Sequence, residues 1–129
     1  MNDSISDMII RIKNARDAQK DSLVIPYSKM KYAIANLLQK EGYIKSVAKK
    51  GKKITKFIEL GLIYENGSPK ISGVQRVSKF SKRVYQGAKD LKPVKHGYGM
   101  LVLTTSKGIL TYSEAKKENV GGEVLFKIW

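Results

Sequence analysis

Two apolar stripes at helical spacing, separated by short β-forming runs, most constrain what this chain can fold into. In "SISDMIIRIKNA", Ile5, Met8, Ile9, Ile12 and Ala15 recur at helical spacing and give one buried stripe. Arg11, Lys13 and Arg16 fall off that stripe, toward solvent. Ser4 with Asp7 resembles a capping pair, with Asp in place of the usual Glu or Gln. "SLVIPYS" is a short β run broken by Pro26, which removes a ladder donor. Ser28 suits the N-cap of a second helix, "KMKYAIANLLQKE", with Met30, Ala33, Ile34, Leu37 and Leu38 as its apolar face. Gly42 is placed to end that helix in a left-handed conformation. "YIKSV" reads as a strand, "KKGKK" (Lys49 to Lys53) as a hairpin tip, and "ITKFIELGLIY" as a long strand with Ile58, Leu60, Leu62 and Tyr64 on one face. The order so far is helix, strand, helix, strand, strand.

"ENGSPK" (Glu65 to Lys70) concentrates turn formers and marks a boundary between lobes 1–66 and 67–129. Beyond it, Ile71, Val74, Val77, Val84 and Tyr85 offer strand material interleaved with Arg76, Lys79, Lys82 and Arg83. "DLKPVKHGYG" reads as a loop and "MLVLTT" as a strong strand. "TYSEAKKENV" is a short helix with Thr111 and Glu114 in capping-box spacing, terminated by Asn119 to Gly122. "EVLFKIW" is a final strand.

The formal net charge is +14 over 129 residues. Self-repulsion of that size is tolerable when a polyanion neutralises it, and nucleic acid is the commonest such partner. Residues 45 to 95 hold 14 Lys and Arg against 3 Asp and Glu, a net +11. That excess is either a solvated basic face or a phosphate-binding surface. A membrane surface is disfavoured, because no amphipathic helix carries a continuous cationic face. There is no cysteine, which excludes disulfides and thiolate metal sites. The charged first twenty residues do not read as a signal peptide, and no apolar run is long enough to span a membrane. A cytoplasmic, soluble protein is expected.

Catalytic options are thin. His96 is the single histidine and has no evident orienting partner. Glu114 and Glu118 sit one helical turn apart beside Lys116 and Lys117, ordinary surface patterning. "GYG" at 97–99 is too short for a dinucleotide fingerprint, and no Walker pattern occurs. Ser106 and Lys107 are adjacent, so on extended backbone they point apart and make no dyad. Neither a cofactor nor a metal is called for, and an enzyme is discounted. Binding chemistry is better supplied in "TTSKG". Thr104, Thr105 and Ser106 give three hydroxyls, Lys107 a point charge, and Gly108 close backbone approach. The stretch is either a polar turn between strands or a reader of irregular RNA. Tyr85 beside Arg83, and Tyr98, are candidates to stack on bases; the other reading of each is a half-buried core residue.

Taken together, these motifs resemble those of the bacterial small-subunit ribosomal protein eight family. "GYGMLVLTTSKGILTYSEAKKENVGGEVLFKIW" is similar to that family's C-terminal signature. "SISDMIIRIKNA", "PYSKMKYAIANLLQKEGYI" and "VQRVSKFSKRVY" resemble its two helices and its central motif. The motifs run in order over nearly the whole chain. Thr104 stands where the family usually has Ser, Phe80-Ser81 replaces Pro-Gly, and "KKGKK" is unusually basic, facing either RNA or only solvent. The resemblance implies an α+β fold of two small lobes: an N-terminal α-β-α-β-β unit, and a mainly antiparallel β lobe with one short helix. It implies a primary binder of the central domain of small-subunit ribosomal RNA at an irregular, bulged helix, monomeric in the ribosome beside neighbouring small-subunit proteins. Many members also repress their own operon's messenger through a similar RNA shape, a partner left open for this chain. Carried over by position, the RNA-binding residues are Thr104, Thr105, Ser106, Lys107, Gly108, Gly121, Gly122, Glu123 and Tyr85; Arg83, two residues before Tyr85, is a further candidate. The N-terminal lobe adds Asp3, Ser4, Arg11, Lys13 and Asn14. Glu123 either accepts from RNA donors or, as the preferred reading, braces the TTSKG backbone. The competing functions are a general RNA chaperone or non-specific nucleic-acid binder, and an RNA-acting enzyme using Lys107 or His96.

Overall fold

The computed structural model describes residues 4–79, 81–92 and 99–129. Asp3, Phe80, His96, Tyr98 and most of the "DLKPVKHGYG" stretch lie outside the described residues. Among the described residues the fold is mixed α+β, with three α-helices and antiparallel sheets, and it divides into two compact units, one ending at Ile71 and the other running from Ser72 to Trp129.

The first unit contains α1 (Ser4–Asp17), β1 (Ser22–Pro26), α2 (Lys29–Lys40), β2 (Ile44–Gly51) and β3 (Lys56–Leu62). Its sheet is antiparallel in the order β1-β3-β2, so Pro26 ends an edge strand, where its missing N–H removes nothing from a central ladder. Ile5, Met8, Ile9 and Ile12 of α1 are buried together with Ile25, Ile34, Leu38, Ile44, Ile58 and Leu60. Two further short strands, β4 (Tyr64–Glu65) and β5 (Ser68–Pro69), flank Asn66 and Gly67, both left-handed at φ 54° and 82°. That is the primed turn an Asn-Gly pair prefers between antiparallel strands.

The helix ends share one solution. After α2, the N–H of Gly42 (φ 83°) donates to the Gln39 carbonyl and that of Tyr43 to the Leu38 carbonyl at 2.9 Å. The same reversal follows α1 at Gln19 (φ 53°). It leaves otherwise orphaned helix carbonyls bonded.

The buried face of α2 is rotated from the expected one. Ala33 is exposed, and the buried positions are Lys31, Ile34, Ala35, Leu37 and Leu38. The stripe through Lys31 is as periodic as the one through Met30, and lysine's four-carbon stem can line apolar surface while its ammonium reaches outward. A pattern that counts lysine as polar misses this.

Lys31 is 5% exposed. Burial pushes its ammonium below the ordinary 10.5; the Asp7 charge opposes that shift and Arg11 adds to it. A base with a lowered folded pKa costs stability while charged, and the cost is relieved as pH rises through the folded value toward the unfolded one. Lys31→Met, which keeps the stem, should therefore raise the thermal midpoint at neutral pH by about 2–6 °C. The gain should shrink as pH approaches 10.5. A calorimetric series from pH 7 upward checks it; a lower midpoint at neutral pH would contradict the reading.

Candidate nucleic-acid interface

The second unit is built around β10 (Gly122–Ile128), which pairs with β8 (Met100–Thr105) on one side and with β6 (Val74–Arg76) and β7 (Tyr85–Gln86) on the other. On the far side of β8 lies β9 (Gly108–Thr111), which runs straight into α3 (Tyr112–Glu118). Thr111 caps α3 in a full capping box: its Oγ1 accepts from the Glu114 N–H at 3.2 Å, and its own N–H donates to Glu114 Oε1 at 3.1 Å. Asn119, left-handed at φ 55°, ends the helix, so the Gly121-Gly122 pair is not its terminator. Leu91, Leu101, Leu103, Ala115 and Val124 form a core beneath the sheet.

The glycine pair serves close approach. A Cβ on Gly122 would collide with the Thr104 carbonyl oxygen, and one on Gly121 would meet the Gln86 carbonyl and come within 2.6 Å of Gly87 Cα. Only bare backbone lets β10 pass between β7 and β8 here.

"TTSKG" is the corner of a hairpin, a polar turn between two strands. Thr104 and Thr105 end β8, Ser106 and Lys107 make the turn, and Gly108 opens β9 at φ 103°. Thr105 Oγ1 donates to the Gly108 carbonyl at 2.9 Å and accepts from the Lys107 N–H at 3.1 Å. Its hydroxyl is thus occupied in holding the turn. Ser106 is exposed, and its hydroxyl has no partner among the described residues.

Strand alternation then sorts the expected residues. Tyr85, Glu123, Thr104 and Ile109 pair in one row across four strands and share a face. Gln86, Gly122, Thr105 and Gly108 form the next row and belong to the opposite face. Tyr85 is 70% exposed. Arg83 Nη1 donates to Glu123 Oε2 at 3.0 Å, so the Glu123 carboxylate holds a guanidinium. Lys107 departs from this face: its Nζ donates to Glu118 Oε2 on α3 at 2.9 Å. Both ion pairs are partly solvent-exposed, so each adds little to stability.

Two contributors were missed in the sequence. Ser78 is fully buried; its Oγ accepts from the Val84 N–H at 2.7 Å, while its N–H donates to the Val124 carbonyl. It clamps the segment carrying Arg83 and Tyr85 beside β10. A serine among basic residues reads as surface, and the one signal was its place in the "VQRVSK" motif. Glu118 reads as helix patterning because its partner lies 11 positions away.

In the first unit, Ser4 starts α1, and Asp3 lies outside the described residues. Arg11 is bonded to Asp7 at 3.0 Å and donates to the Val24 carbonyl at 3.2 Å. With Asn14, Lys20 and Ser22 it lines a groove of about 400 Å³ between α1 and β1. Lys13 is half-buried and does not line that groove. Among the described residues no cluster of His, Asp and Glu is arranged to hold a metal, and no helix is long and apolar enough to cross a membrane.

Gly122→Ala should destabilise the protein by about 1–3 kcal/mol through overpacking against Thr104. Urea unfolding checks this; a change below about 0.5 kcal/mol, the range of an ordinary surface substitution, would contradict it.

Comparison with known proteins gives a match over nearly the whole chain. The sequence model of the family described as "Ribosomal protein S8" matches residues 3–129. The small ribosomal subunit protein uS8 of Persephonella marina is 47% identical over 133 aligned positions, covering 98% of both chains. That of Mycoplasmopsis agalactiae is 46% identical, covering 98% of this chain and 97% of its own.

Proposed function

From the premise that this chain belongs to the ribosomal protein S8 (uS8) family, we propose that it is a primary RNA-binding protein of the small ribosomal subunit. The family makes it a structural component of that subunit, a holder rather than a catalyst. The finer reading is that it docks on the central domain of the small-subunit ribosomal RNA, at an irregular helix with bulged bases. Its other partners would be neighbouring small-subunit proteins and its own operon's messenger, in the cytoplasm.

One observation carries this reading. A four-strand row presents Tyr85, Glu123 and Thr104 on one face, and Ser106 stands at the adjoining corner with a hydroxyl that has no partner among the described residues. Stacking by Tyr85 and hydroxyl bonds to 2′-OH groups or base edges suit a splayed, irregular RNA better than a plain duplex, which offers shape and phosphate. Arg83 supplies a guanidinium held in place by Glu123. Arg11 and Asn14, on the α1 groove, would meet a second RNA element. A general RNA chaperone would need none of this geometry, only charge.

Footprinting on small-subunit ribosomal RNA tests the reading. The wild type should protect one bulged stem. Ser106→Ala should weaken that protection by about tenfold, the worth of one or two hydrogen bonds. Lys52→Ala should affect all RNAs alike and leave discrimination intact. Affinity should fall with salt while preference for the bulged stem over plain duplex persists. If Ser106→Ala and Lys52→Ala weaken every RNA equally, the corner does not read RNA shape.

A further inference from the structure

We propose that the outer end of the β2–β3 hairpin, in the first unit, is a further RNA-contacting surface, distinct from the α1 groove, that binds phosphate backbone without reading sequence. The inference rests on the RNA-binding reading above and extends it to a site made of Tyr27, Tyr32, Lys49, Lys52, Lys53 and Lys56.

Between Glu41 and Glu59 the chain has six lysines and no acid. β2 runs on through Lys49 and Lys50 to Gly51, so the hairpin tip is residues 52–55, shifted outward from Lys49–Lys53. Gly51 is left-handed at φ 99°, and the Lys52 carbonyl accepts from the Thr55 N–H at 3.0 Å. The tip is therefore an ordered turn presenting Lys52 and Lys53.

Register decides which cations are available. Lys50 pairs with Phe57 and sits on one face, where its Nζ donates to Glu59 at 2.9 Å. Lys49 pairs with Ile58 on the opposite face, and Lys56 lies two residues before Ile58 on that same face. There the two ammonium groups converge on one aromatic ring: Lys49 Nζ lies 4.9 Å and Lys56 Nζ 5.8 Å from the centre of Tyr27. Lys49 is also 5.9 Å from the centre of Tyr32, whose ring packs against Tyr27. The rings orient the ammonium groups without neutralising them, as a carboxylate would. Lys49, Lys52, Lys53 and Lys56 have no carboxylate partner among the described residues.

The chemistry favours RNA backbone over a lipid surface. Ile54, 96% exposed, is a lone apolar side chain at the tip, while the tyrosines are half-buried with lysines over their rings. Interfacial membrane binding needs a contiguous apolar face, and none is offered here. Phosphate needs only converging, pre-oriented cations. With the rings covered, base stacking is not available, so the surface adds affinity and salt dependence but no sequence preference.

The test uses the full chain, with all four lysines changed (Lys49→Gln, Lys52→Gln, Lys53→Gln, Lys56→Gln), against small-subunit ribosomal RNA and a plain RNA duplex. The variant should bind both RNAs at least tenfold more weakly at about 100 mM salt, with the log–log salt slope reduced by about 2–3. Its preference for ribosomal RNA should be unchanged. Ser106→Ala should do the reverse, losing preference and keeping the slope, so failure of the corner and failure of the hairpin are read separately. The four Lys→Arg changes should restore the slope. If the Gln variant misfolds by circular dichroism, the double change at Lys52 and Lys53 alone should reduce the slope by about 1–2. An unchanged slope in a folded variant overturns the proposal. So does wild type that sediments with phosphatidylserine vesicles but does not bind the duplex.

Discussion

Strand β10 has to pass between β7 and β8 with no side chain at Gly121 and Gly122, and the arrangement of the second unit depends on that passage. Because the Gly122 backbone lies against the Thr104 carbonyl, residue 123 is brought into line with Thr104 on one side and Tyr85 on the other. The row of candidate RNA contacts is a consequence of register, and register here is set by a steric exclusion. One residue later the ladder pairs Val124 with Leu103, whose side chains belong to the core. A slip of one residue would exchange the polar face for the buried one.

Much of this was legible in the sequence because local signals agreed with the tertiary outcome. The α1 stripe, Gly42, the Thr111–Glu114 capping box and the "MLVLTT" strand each follow from spacing and residue type. What was not legible depends on partners distant in sequence. Thr104 and Thr105 look alike in the chain, yet strand alternation sends them to opposite faces and leaves Thr105 occupied by the turn. The buried stripe of α2 could not be phased by hydropathy, since Lys31 belongs to it. Ser78 and Glu118 acquire meaning only once Val84 and Lys107 are placed beside them.

The charge follows the same logic. A net +14 suggests cations everywhere, but the fold separates those already matched from those left available. Arg83 and Lys107 are held by Glu123 and Glu118, and Lys50 by Glu59. Such partly exposed pairs contribute about 0–1 kcal/mol to stability. Their larger consequence is orientation of the cation. Lys49 and Lys56 are placed against the Tyr27 ring instead, which orients without cancelling charge. On the proposed reading, shape-reading and charge-driven contacts fall to different residues.

On the proposed reading Glu123 works through Arg83, as the brace of a pre-set face. A double-mutant cycle on binding to the bulged stem tests this most directly, using Arg83→Gln, Glu123→Gln and the pair together. The account predicts strong coupling: each single change weakens binding, and the double variant is no weaker than the worse single. Additive losses would contradict it, because they would mean that Glu123 and Arg83 meet the RNA independently.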